Sequence, residues 1–169
     1  MKVHFRLPGM NDNGLILVTD KLVEFVDLFP TLAELAGLPK VPRCPPGVRE
    51  SQQTDLCTEG SSLVPLLKDQ QHGQWKDRVF YQYPHFVNDD RSWCMGFSMR
   101  TEKYRFTQWV GYDYKTSGAD WTQICGVELY DHEVDPNETK NLANDVSLTK
   151  TIQKLREQLK AGWADAQSS

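Results

Sequence analysis

The side chains best suited to gripping an anion lie close together, at Arg100 and Arg105, on either side of the polar connection Thr101-Glu102-Lys103. A guanidinium is a flat fork of N–H donors that fits a carboxylate or a sulfate two bonds at a time. The competing reading pairs both arginines with acids of the chain itself, such as Glu102 or Glu128. Groups able to do catalysis are sparse. The sequence has no G-x-S-x-G, no Walker loop, no Rossmann glycine triplet and no H-E-x-x-H. The four histidines, His4, His72, His85 and His132, are scattered. His132 lies between Asp131 and Glu133, but successive strand residues point to opposite faces. A surface or hydrogen-bonded structural role is therefore favoured over a metal ligand or a base. Asp131, Glu133 and Asp135 lack the glycine and closing glutamate of a calcium-binding EF-hand loop, and are read as a solvated acidic turn. Asn137-Glu138-Thr139 is an N-x-T sequon, which matters only in a eukaryotic secretory pathway.

Four cysteines, Cys44, Cys57, Cys94 and Cys125, contain no C-x-x-C pair, which argues against a zinc site. Cys44 and Cys57 bracket a loop rich in Pro, Gly, Gln and Glu. A disulfide there would close a 14-residue segment, worth about 3 kcal/mol through the unfolded state. Two unrelated reduced thiols are the other reading.

The net charge of −4 argues against a nucleic-acid partner, for which a basic stripe is expected. No apolar run approaches the roughly 20 residues that span a bilayer. The opening Met1-Lys2-Val3-His4-Phe5-Arg6 has no apolar core of signal-peptide length. It looks like a strand entered partway, which leaves open whether Met1 is the native start.

Around the arginines, the spacing predicts a β-hairpin over Cys94–Val110. Met95, Phe97 and Met99 alternate with Gly96, Ser98 and Arg100, and Tyr104, Phe106 and Gln108 alternate with Arg105, Thr107 and Trp109, the two-residue period of strands. Val79–Tyr83, halted by Pro84, and Val127–Asp131 are two further strands. His85–Arg91 and Gly111–Gln123 are expected to be polar loops. Four sequential strands imply an antiparallel meander. Leu148, Ile152, Leu155, Leu159 and Trp163 recur at helical spacing, a stripe that packs across the sheet. Before the sheet, residues 2–7 form a short strand, and Lys21–Val26 lead extended into a helix. That helix is capped by Asp27, holds Pro30 in its first turn and ends at Gly37. Pro39–Thr58 is a loop, and Lys68–Lys76 is the expected boundary.

Several phrases in order resemble the carboxyl-terminal part of the sulfatases, most closely the iduronate-2-sulfatase group. They are Val26-Asp27-Leu28-Phe29-Pro30-Thr31-Leu32 with Ala36-Gly37-Leu38, then Gly60 and Ser62-Leu63 with Pro65-Leu66-Leu67. Tyr81-Gln82-Tyr83-Pro84, Met95-Gly96-Phe97-Ser98-Met99-Arg100-Thr101 and Tyr104-Arg105-Phe106-Thr107 with Trp109-Val110-Gly111 follow. The last is Glu128-Leu129-Tyr130-Asp131 with Asp135-Pro136 and Asn141-Leu142. The resemblance implies an α+β chain: residues 1–70 a closing fragment of an alkaline-phosphatase-like α/β domain, and residues 76–169 a four-stranded antiparallel subdomain with a carboxyl-terminal helix. It implies a parent that hydrolyses sulfate esters of a glycosaminoglycan-type sugar and is lysosomal, secreted or periplasmic. The formylglycine nucleophile, made from the cysteine of C-x-P-S-R, and the calcium are expected in an amino-terminal part of that parent, which is this chain's expected partner. Neither cofactor is expected in this chain, which is expected to be inactive alone. Cys44-Pro45-Pro46-Gly47 imitates only the start of the motif, since Gly47-Val48 replaces Ser-Arg, and it follows the helix. Cysteines bracket this same loop in the group, which favours a Cys44–Cys57 disulfide. Ser92-Trp93-Cys94 stands where relatives place a lysine near substrate, and Pro84-His85 where some have Pro-Arg. Trp93, Arg100, Arg105 and His85 are thus the substrate-cleft candidates, and Asn137 the glycosylation candidate. The alternative is a non-catalytic accessory module binding sulfated glycans or a partner protein.

Overall fold

The computed structural model describes residues 3–5, 17–45, 48–69, 73, 75–86 and 93–162. They fall into two units, divided between Lys76 and Asp77. In the first, β1 (Val3–Phe5) pairs antiparallel with β2 (Leu17–Thr19). A 3₁₀ turn at Phe25–Asp27 runs into α1 (Leu28–Leu35), and two short helices follow, α2 (Val48–Gln52) and α3 (Val64–Lys68). Gly37, at φ +71°, ends α1 in the left-handed conformation that glycine adopts without steric cost.

Asp27 is fully buried and ties this unit together. Its carboxylate accepts the backbone N–H of Glu24 at 2.8 Å and of Ser61 at 2.8 Å, and the Lys76 ammonium at 2.8 and 2.9 Å. Lys76 also donates to Glu24 at 2.7 Å. One turn along α1, the Thr31 hydroxyl donates to the Asp27 carbonyl and accepts the Leu63 N–H at 2.8 Å. Gly60 passes so close to this turn that a Cβ there would lie 2.0 Å from the Val26 carbonyl oxygen. Asp27 does precede α1, but its side chain does not cap that helix. It closes the preceding turn and bonds across to residues 61 and 76.

The second unit is the expected meander. Strands β3 (Arg78–Phe86), β4 (Trp93–Thr101), β5 (Tyr104–Asp113) and β6 (Gly118–Asp131) lie in sequence order, each antiparallel to the next. The register places Phe80, Met99, Phe106 and Leu129 in one row across the sheet. Helix α4 (Thr149–Ala161) sets Ile152, Leu155 and Leu159 on that row. Gln108 is buried on the same face, and Arg156 of α4 donates to its Oε1 at 2.8 Å, which offsets the cost of burying the amide. Asn141 finishes the outer edge of β6, accepting the Leu129 N–H at 3.0 Å and donating to the Val127 carbonyl at 3.1 Å. The fold is α+β, a four-stranded antiparallel sheet with a carboxyl-terminal helix. Trp163, the expected end of the helical stripe, lies outside the described residues.

Further local expectations change. Lys21–Val26 is not extended throughout, since the 3₁₀ turn already begins at Phe25. Strand β3 continues through Pro84 to Phe86, because an edge strand has one unpaired side on which a missing N–H costs little. The expected loop from Gly111 is mostly ribbon: β5 reaches Asp113, β6 restarts at Gly118, and the Asp113 carboxylate accepts the Lys115 N–H at 2.8 Å to hold the turn. Helix α2 interrupts the expected loop after Pro39.

The Asp27–Lys76 pair gives the first prediction. Asp27→Ala leaves two backbone N–H groups without their acceptor and the buried Lys76 ammonium with Glu24 alone, and costs about 3–5 kcal/mol. A urea titration of the full chain measures it. Replacing both partners, Asp27→Leu with Lys76→Met, restores only part of the loss, because the largely buried Glu24 carboxylate then loses Lys76 and the Glu24 and Ser61 N–H groups stay without their acceptor.

Candidate functional site

The sheet face turned away from α4 carries Tyr81, Tyr83 and His85 on β3, Cys94, Gly96, Ser98 and Arg100 on β4, and Arg105, Thr107 and Trp109 on β5. Arg100 and Arg105 are direct cross-strand partners. Two like charges opposite one another are destabilising unless countered. The counter-charges go to Arg105. It contacts both carboxylate oxygens of Glu138, one of them at 2.6 Å, and Glu128 at 3.2 Å. Its guanidinium also lies 4.6 Å from the Tyr130 ring centroid. Burial by itself lowers the Arg105 pKa, and the Glu138 hydrogen bond and neighbouring charges reverse this to a net rise.

Arg100 stands differently. It donates to the Thr101 carbonyl, and among the described residues no carboxylate lies within ion-pair distance of it. Burial draws its pKa down, opposed by Glu138 and Tyr81. A guanidinium carries five N–H donors, so Arg100 keeps capacity for an anion, whereas Arg105 is committed. Glu102 pairs with neither arginine. Glu138, the main partner of Arg105, lies 33 residues away along the chain, beyond the reach of any local sequence pattern.

The other candidates lie elsewhere. Six strand positions separate the partner of His85, Cys94, from Arg100, roughly 20 Å along β4. The His85 ring meets Trp109 edge-on at 5.8 Å. Trp93 has the strand parity of Met95 and Met99, so it belongs to the opposite face, and its ring is 4.2 Å from that of Tyr114. The four candidates therefore do not form one cluster. Trp109, which no pattern singled out, lies across the middle of the face. Its Nε1 donates to Glu128 at 2.8 Å, and its indole fills the space a Cβ on Gly96 would need, 2.8 Å away.

The cysteines are paired as Cys44–Cys57 and Cys94–Cys125, so none is a free thiol. The second pair ties β4 to β6 across β5. The space a Cβ on Gly111, the β5 partner of Cys94, would need is filled by the Gln123 side chain, 2.4 Å away. In the acidic turn, Asp131 and Glu133 pair with Lys103 at 3.4 and 2.5 Å. Backbone N–H groups of Thr139 and Lys140 hold the Asp135 carboxyl below its usual range. His132 bonds Glu138 at 2.7 Å. Among the described residues no cluster of three or more His, Cys, Asp or Glu is placed to hold a metal ion. In the first unit, a cleft of about 750 Å³ is lined by Glu34, Lys40, Ser62, Trp75 and Lys76, among others, and includes none of the four candidates.

Glu138 sets an acid limit on stability. Its burial raises its pKa, but the bonds from Arg105 and His132 outweigh this and hold it below 4.5. A carboxylate with a depressed folded pKa stabilises the fold above its unfolded pKa, and that contribution fades as the pH falls through the folded value. The second unit should therefore lose stability as the pH drops below about 4.5, and Glu138→Gln should flatten that slope in thermal melts taken across the acid range. An unchanged slope refutes the Arg105–Glu138 pairing.

Comparison with known proteins places the chain. A family model described as N-sulphoglucosamine sulphohydrolase, C-terminal, matches residues 3–165. Iduronate 2-sulfatase of Mus musculus is 37% identical over 158 residues, covering 82% of this chain and 28% of that protein. Its Homo sapiens counterpart is 37% identical over 143 residues, covering 73% and 25%. The chain thus spans about a quarter of the length of these relatives. A Bacteroides thetaiotaomicron VPI-5482 protein provisionally called a sulfatase shares the fold, with TM-score 0.52 and 24% identity over 83% of this chain and 24% of that one. A 2-O GAG sulfatase gives 0.50 and 23% over 84% and 25%. No helix among the described residues is long and apolar enough to cross a membrane. The chain belongs to the sulfatase carboxyl-terminal family, and is similar to the corresponding part of iduronate 2-sulfatase.

Proposed function

We propose that this chain is the carboxyl-terminal part of a sulfatase that hydrolyses sulfate esters of a glycosaminoglycan-type sugar, and that it is inactive alone. Residues 1–70 are assigned to the end of the α/β catalytic domain and residues 76–169 to the small antiparallel subdomain. Formylglycine and calcium are assigned to the preceding catalytic part, the partner of this chain. The parent is assigned to the lysosome or to a secreted or periplasmic setting, and two disulfides fit such an oxidising compartment.

One observation carries this reading. The inner side of α1 buries Pro30, Thr31 and Ala33, yet the outer side leaves Leu28, Phe29, Leu32 and Leu35 exposed, with Phe25 and Leu38 beside them. Leu32 is 64% exposed and Phe25 76%. A helix apolar on both sides is one that further protein covers. Within the substrate cleft, Arg100 is assigned the sulfate or carboxylate contact, being the arginine with donors to spare.

The test is turnover of a generic aryl sulfate by the purified chain with calcium, run beside heparin-oligosaccharide binding. The expected result is no turnover and no specific binding, because the rest of the cleft is supplied by the catalytic part. Clear turnover would sink the proposal. Tight heparin binding, lost in Arg100→Gln, would favour the non-catalytic glycan-binding module instead.

A further inference from the structure

The triplet Asn137-Glu138-Thr139 has no part in the proposed hydrolysis, and it is the sole N-x-S/T sequence in the chain. It sits on the turn Asp135-Pro136-Asn137-Glu138, closed by the Glu138 N–H to the Asp135 carbonyl at 3.1 Å. Everything around the asparagine is fixed by other groups. Glu138, at φ +57°, sends its carboxylate to Arg105 and His132. The Thr139 hydroxyl donates to Asp135 at 3.0 Å, and the Lys140 N–H to the same carboxylate at 2.9 Å. Asn137 itself is exposed, and among the described residues its side-chain amide has no hydrogen-bond partner. The turn is thus held without the one amide the sequon needs free. The two disulfides fit an oxidising compartment, where oligosaccharide transfer also occurs in eukaryotes.

We propose that Asn137 carries an N-linked oligosaccharide when the chain is made in a eukaryotic secretory pathway. The donor class is a lipid-diphosphate-linked oligosaccharide. The Asn137 amide nitrogen forms a bond to the anomeric carbon and loses one proton. The bond from that carbon to the diphosphate oxygen breaks, and the lipid diphosphate leaves with the electron pair, so no oxidant is needed. Transfer precedes folding, so what the folded chain must provide is room, and the exposed turn provides it. A bulky solvated glycan at this turn also keeps it from serving as a packing surface for other protein.

The test expresses the full chain, with a secretion signal added, in cultured mammalian cells, beside Asn137→Gln and Thr139→Ser. Intact mass and peptide mapping are read before and after a glycan-releasing amidase. Wild type and Thr139→Ser should carry the glycan, Asn137→Gln should lack it, and the amidase should convert the acceptor asparagine to aspartate. If secretion fails, translation into microsomes gives the same readout. Wild type at the mass of the bare polypeptide, or an amidase-resistant modification that persists in Asn137→Gln, overturns the assignment.

Discussion

Helix α1 has more apolar surface than the described chain can cover, and this constraint governs how the first unit is built. Its inner side is small, with Pro30, Thr31 and Ala33, and Thr31 docks it by accepting the Leu63 N–H. Asp27, just before it, supplies the anchor by joining Glu24, Ser61 and Lys76. The large side chains, Phe25, Phe29, Leu32 and Leu35, point outward. Burying them would contribute about 1.5–3 kcal/mol each, so the part of the helix with most to gain from packing is the part left open. The stretch from Leu28 to Leu35 thus alternates between inner residues that hold the unit and apolar residues left exposed.

The sheet meets the opposite problem. One face is covered by α4, and its row of Phe80, Met99, Phe106 and Leu129 needs nothing more. The other face brings two arginines directly opposite each other. Their repulsion is relieved by Glu138, which the connector between β6 and α4 delivers, and by Glu128 from the neighbouring strand. The connector is fixed in turn by the Asn141 bonds to β6. The charge balance of the hairpin therefore depends on a segment distant in sequence, and it leaves Arg100 and Arg105 unequal although they look equivalent on paper.

What was legible in the sequence follows from distance along the chain. The two-residue alternation at Met95–Met99 and the helical rhythm of Ile152, Leu155 and Leu159 are local signals, and they located the meander, its covered face and α4. Gly37 marked a helix end for the same reason. Asp27 looked like a simple cap because its true partners, Ser61 and Lys76, are remote. Pro84 looked like a strand terminator because sequence does not reveal which strand lies at an edge. The pairing of Cys94 with Cys125 joins two strands that are not neighbours and lies beside an irregular register between β5 and β6, neither of which spacing encodes. Glu138 was visible only as the middle of a sequon.

The geometry also limits what ligand this face of the sheet could hold. Trp93 is packed against Tyr114 on one face, while His85 and Arg100 share the other, so a stack on Trp93 and a contact from Arg100 cannot close around one sugar ring. His85 and Arg100 are themselves roughly 20 Å apart along the strand. Between them run Tyr81 and Tyr83, both substantially exposed, with the Trp109 indole alongside. A ligand that touched both ends of this track would have to be extended and several rings long. A single sulfated ring would reach only one end, and Arg100 is the end with unused donors for its anion. Among the described residues of the hairpin, Arg105 is taken up by Glu128 and Glu138 and Lys103 by Asp131 and Glu133, which leaves Arg100 as the cation without a carboxylate partner.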